Sequence, residues 1–196
     1  MMNFDHREPL FATLDYAGIR SGDVLQYRGQ GWISSMIQLG SQGVHSHSAI
    51  ARVDMLGRAD VLEVRELKGG RAVPLLGEVE KHPGRIDVFR PRLDVFAFDI
   101  EAAVDMMRTL TSRSYGYAGV ARLAIQRLPL LWRLSRLQTA DVVAGNESRS
   151  PFCSHAVAIA CTAGGVDPVP RKPDDAVTPA DLTTSLLFEY VCTLVP

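Results

Sequence analysis

At 196 residues, 46% hydrophobic and 22% charged, the chain is long enough to bury one substantial core and is composed like an ordinary globular domain. A net charge of −1 gives no general reason to expect nucleic acid or an anionic membrane as partner. Three cysteines without CxxC spacing argue against a disulfide framework and for free thiols in a reducing, cytoplasmic setting. Met1 to Glu8 carry acidic side chains and no apolar h-region, so no signal peptide is expected. No run of about 18 uncharged apolar residues suggests a membrane span.

Taken in chain order, the first ~20 residues read as a short arm or helix packed on a single domain. Ser21-Gly22-Asp23 is a turn before a strand at Val24-Leu25-Gln26-Tyr27. Ile33, Met36 and Ile37 stand at helical spacing in Trp32–Leu39, closed by Gly40. His47–Val53 and Ala59–Val64 read as strands around the turn Leu56-Gly57-Arg58, followed by strands at Arg71–Leu75 and Arg85–Arg90. Short strands in succession with tight links argue an antiparallel sheet.

The period then changes. Ile100, Ala103, Val104, Met107 and Leu110 form a helical stripe in Asp99–Thr111, with Asp99 or Glu101 suited to its N-terminus. Tyr115–Leu137 is apolar and broken at Pro129, predicting two helices or a kinked one. Residues 138–150 read as a polar, flexible loop. Cys153–Ala163 is a short, Ala-rich buried helix ended by Gly164-Gly165; 166–180 is a Pro-rich surface connection; Phe188–Leu194 is a closing strand. Strands first and helices second predict an α+β fold, the sheet packed against helices.

The chemistry centres on Ser150-Pro151-Phe152-Cys153-Ser154-His155. It places a thiol at the start of a helix, where unpaired N–H groups and a partial positive charge favour its ionisation. A cysteine nucleophile needs a base and a group that orients the base. His155 lies about 200° around the helix from Cys153 and points elsewhere. His82 precedes Pro83 in a charged loop, a poor scaffold. His45 and His47 remain. His47 is the better placed, because it opens a strand and shares a face with Ala49 and Ala51, small enough to leave room for a packed helix. Glu63, a lone acid in Val61-Leu62-Glu63-Val64, is suited to hold the far N–H of His47. His45 and His47 with Cys153 make a three-ligand set on paper, but the spacing is not a zinc motif; no metal or other cofactor is expected. Cys161 and Cys192 read as core.

These residues carry a resemblance. Gly22-Asp23 with its strand, Ser46-His47-Ser48-Ala49-Ile50, Val61-Leu62-Glu63-Val64, Ser114-Tyr115-Gly116-Tyr117 and Phe152-Cys153-Ser154 recur in an order similar to the circularly permuted branch of the NlpC/P60 papain-like superfamily, the YiiX/YebB-like proteins. There the histidine strand precedes the cysteine helix. The likeness spans about residues 21–165, with a weaker echo at Val177–Leu182. It implies a papain-like fold, Cys153 as nucleophile, His47 as base, Glu63 as third polar residue and Tyr115 as an active-site tyrosine. His155 and Ala156 depart from the acidic residue and leucine common in relatives.

The implied activity is a cysteine peptidase or amidase: thiol hydrolysis of an amide through a thioester acyl-enzyme. The Cys153 backbone N–H is the natural oxyanion donor, worth about 3 kcal/mol when well aimed. Tyr115 and Tyr27 are candidates for a second donor. The substrate expected is a peptide or a small acyl-containing molecule. Arg122, Arg127, Arg133 and Arg136 among apolar residues are snorkelling arginines or a contact for lipid. The lipid contact would suit a lipid-directed thiol acyltransferase or esterase. A non-catalytic binding module on the same fold is the further alternative.

Overall fold

The computed structural model describes residues 11–12, 18–29, 43–65, 69–111 and 153–196. Most of the N-terminal arm, the helix expected at 32–39, the segment 115–137, the loop 138–150 and Tyr115 lie outside them.

Strands β1 (Phe11–Ala12), β2 (Val24–Tyr27), β3 (His47–Val53), β4 (Ala59–Arg65), β5 (Gly69–Pro74), β6 (Ile86–Pro91) and β7 (Phe188–Leu194) form one sheet in the order β1-β7-β6-β2-β3-β4-β5. The pairings from β7 to β5 are antiparallel; the two-residue β1 runs parallel to β7. Among the described residues, four α-helices accompany the sheet: α1 (Leu75–Lys81), α2 (Ile100–Thr111), α3 (Cys153–Ala163) and α4 (Pro179–Thr184). The architecture is α+β, as expected. None of the described helices is long and apolar enough to cross a membrane.

Period-two alternation splits the sheet into two buried faces. Leu25, Ala49, Ala51, Val61, Ile86 and Val88 form one core with Leu75 and Val79 of α1. Val24, Ile50, Leu62, Val64 and Phe89 form the other, beneath α2 and α3. Each fully buried aliphatic side chain stabilises the fold by about 1.5–3 kcal/mol. The expectation that Ala49 and Ala51 make room for the cysteine helix is corrected here. The helix packs on the face of Ile50, and the small residues that allow its approach are its own Ala156, Ala158 and Ala160, all fully buried. The stripe of α2 is buried as its spacing predicts, at Ala103, Val104, Met107 and Leu110. Asp99 caps it, accepting the Ala102 N–H at 3.0 Å. Gly165, with φ of 90°, turns the chain out of α3 in the left-handed conformation glycine tolerates.

Two short helices differ from the sequence-based expectation. The third hairpin strand starts at Gly69 and stops at Pro74, and Leu75 opens α1 instead of closing the strand. Seven residues give too little periodicity to read, although Leu75 and Val79 bury a common face. In the Pro-rich connection, Pro179 is the first residue of α4 and not part of an extended link; proline's fixed φ suits that position. Thr178 and Asp181 close a capping box around it, and Lys172 bonds the Asp181 carboxylate. Val177 and Thr178 are buried, so this stretch is not wholly surface.

Candidate active site

The site gathers at one end of the sheet. β3 begins at His47, directly opposite Tyr27 in the β2 register, and β4 brings Glu63 in from the other side. His47 Nε2 and Glu63 Oε2 are 2.6 Å apart, with the carboxylate wholly buried and the ring 13% exposed. Cys153, the first residue of α3 as described, is buried yet belongs to neither apolar core. It lies close enough to His47 to act on the charge of the imidazole. Nε2 is taken by Glu63, which leaves Nδ1 as the ring nitrogen to exchange a proton with the thiol. Cys153, His47 and Glu63 are therefore brought together.

Electrostatics favour the charged forms of His47 and Glu63. Burial alone would push the His47 imidazole down, but the Cys153 thiolate and the Glu63 carboxylate outweigh it and raise its pKa from 6.5 to about 9. Burial likewise acts to raise Glu63. The His47 bond, then the His47, Arg65 and Arg71 charges, reverse this and hold it down from 4.5 to about 2. A protonated imidazole between two anions can both hold a thiolate and later give up its proton.

Behind Glu63 lies a charged cluster that sequence reading did not foresee. Arg71 approaches Glu63 Oε1 through Nε at 2.6 Å and Nη2 at 2.5 Å. Arg65 Nη1 stands 3.6 Å from Glu78 Oε2. Glu78, buried on α1, receives Lys81 at 3.0 Å. Opposite charges at 63 and 71, directly opposite each other on paired strands, are the signal that could have found Arg71. Tyr27 stands edge-on to His47, with ring centres 5.3 Å apart, and to His82 at 5.6 Å. Burial, then the Glu63 and Glu78 charges, raise its phenol well above the ordinary range, so it stays a neutral donor. Its hydroxyl has no hydrogen-bond partner among the described residues.

The other histidines are placed differently from expectation. His82 is not in a loose charged loop: it caps the C-terminus of α1, its ring against Tyr27. His45 lies in the irregular stretch just before β3. It is buried, with Nε2 2.6 Å from Asp87 Oδ2. Arg28 grips the same carboxylate at 2.8 and 2.9 Å, and Thr193 donates to it at 2.6 Å. Asp87 pairs across the sheet with Thr193 on one side and Gln26 on the other, and Gln26 with Ser48. This makes a buried polar row through four strands, with Ser48 donating to Gln26 Oε1 at 2.8 Å. Cys161 is core, its thiol pushed far up by burial. Cys192 is also buried, and all three cysteines are free.

The fold is a YiiX-like one. One similar solved structure is that of metalloprotein yiiX from Escherichia coli O157:H7, with a TM-score of 0.62 over 90% of this chain and 98% of that one, at 13% identity. No family model matches the chain, and no curated protein does. Although that neighbour is described as a metalloprotein, no group of three or more His, Cys, Asp or Glu among the described residues is arranged to hold a metal ion. His45 and His47 each commit Nε2 to a carboxylate, Asp87 for one and Glu63 for the other.

Proposed function

We propose that the chain is a papain-like cysteine hydrolase with the permuted NlpC/P60 order, cleaving an amide, most simply a peptide bond. The observation that supports this reading is His47, bonded to buried Glu63 and under the electrostatic influence of Cys153. A thiol remote from any histidine would instead suit a non-catalytic binding module. The acyl-lipid alternative draws on residues 120–137, outside the described structure, and gains no support from the described part.

In this mechanism the Cys153 thiolate attacks the substrate carbonyl carbon. The developing oxyanion takes the backbone N–H of Cys153, with Tyr27 or Tyr115 as the second donor. The C–N bond breaks as His47 gives its proton to the leaving amine, leaving a thioester on Cys153. Water then attacks the thioester carbonyl while His47 accepts its proton. The C–S bond breaks, the acid product leaves and the thiolate–imidazolium pair is restored. Glu63 holds the ring and stabilises its charged form throughout.

Iodoacetamide labelling at pH 6, read by intact mass and peptide mapping, tests the reading. One adduct on Cys153 is expected, slowed at least tenfold in His47→Ala. An inert Cys153, or one that reacts equally fast without His47, would overturn it.

A further inference from the structure

The carboxylate that orients His47 is itself oriented. Arg71 takes Glu63 Oε1 with two guanidinium nitrogens, at 2.6 and 2.5 Å, and leaves Oε2 to face His47. The β4–β5 register sets Arg71 directly opposite Glu63, so the short reach follows from strand pairing. On its far side, Arg71 Nη2 lies 3.4 Å from Glu78 Oε2. The edge strand that carries Arg71 is pressed against the end of α2: a Cβ on Gly70 would lie 1.8 Å from the Thr111 backbone oxygen. With Arg71 on Oε1 and His47 on Oε2, both carboxylate oxygens are engaged, so the group is held from two sides.

We infer that Arg71 is a positioning residue of the cysteine site, fixing the Glu63 carboxylate so that His47 faces Cys153, with Glu78 bracing Arg71 from α1. This rests on the cysteine-hydrolase reading. The charged and titratable groups facing Glu63 are His47 from β3, Arg65 from its own strand, Arg71 from β5, Glu78 from α1, Tyr27 from β2 and His82 at the end of α1. Removing Arg71 takes away a cation that keeps Glu63 ionised. Glu63 then takes up a proton, and lets go of His47, at a higher pH than in wild type.

The test is the pH profile of Cys153 alkylation by iodoacetamide, pH 2.5 to 8, in wild type, Arg71→Met and Arg71→Lys, with melting temperatures measured alongside. The acid limb of Arg71→Met is expected to move up by at least one pH unit. Arg71→Lys, with charge but no fork, is expected between the two. A folded Arg71→Met whose profile superimposes on wild type overturns the inference. Should Arg71→Met not fold, Arg71→Lys decides: a displaced limb supports the role and a superimposed one overturns it. A wild-type thiol indifferent to His47→Ala overturns the hydrolase reading and this inference with it. A His47-dependent thiol with an unmoved limb overturns this inference alone.

Discussion

Glu63→Gln preserves the shape of the side chain and removes its charge. In the folded protein the carboxyl is held at about 2, against 4.5 ordinarily. At about 1.4 kcal/mol per pH unit, the difference corresponds to about 3 kcal/mol of stability. The sign follows from the direction of the shift. A depressed acid contributes fully above pH 4.5 and loses its contribution as pH falls towards 2. Removing one member of a buried pair commonly costs about 3–5 kcal/mol. Here Arg71 keeps Glu78 at 3.4 Å and its side chain is 24% exposed, so the lower figure applies. Urea unfolding at pH 7 is expected to show Glu63→Gln about 3 kcal/mol less stable, a midpoint lower by about 1–2 M. By pH 3 about two-thirds of that gap is gone, because wild type has lost most of the same contribution. A gap below about 0.5 kcal/mol at pH 7, or one that persists undiminished to pH 3, would refute the account of a buried, ionised Glu63.

Two more outcomes follow from the packing. Gly70→Ala forces a Cβ into the Thr111 backbone, and a drop of at least about 2 kcal/mol is expected from calorimetry or urea titration, with a change in the Cys153 alkylation profile through Arg71. Asp87→Ala strands buried His45 and Thr193 and releases Arg28; it should cost about 3 kcal/mol in urea while the remaining folded protein alkylates Cys153 at the wild-type rate. A stable Asp87→Ala variant would show that the polar row contributes little.

The strands were legible because 47–53 and 59–64 alternate on a sheet buried on both faces, and α2 because its stripe runs over three turns. Cys153, His47 and Glu63 stand out for a chemical reason: each is a polar or reactive group set within apolar neighbours, which only a specific partner makes economical. Arg71 and Glu78 did not stand out, since charged residues in a hairpin and a short helix are ordinary until pairing shows what they face. His45 shows the same blind spot. Its carboxylate partner lies 42 residues away on a strand that is not its sequence neighbour. Direction of packing was also beyond reach: alternation says that Ala49 and Ile50 face opposite ways, not which of them meets the helix.

The order of parts along the chain has a consequence for assembly. His47, Glu63 and Arg71 sit on three consecutive strands of one antiparallel meander, while Cys153 is carried by a helix far downstream. Contacts within the meander close short loops, whereas docking the helix closes a long one and comes late in entropic order. The basic half of the site can thus be complete before the sulfur arrives. In the proposed hydrolase, until the Ala-rich helix seats on Ile50 and Leu62, Cys153 lacks the His47 ring beside it and reacts as an ordinary thiol. Its special reactivity, on this account, is a property of the fully docked chain, and a partly folded one is unarmed.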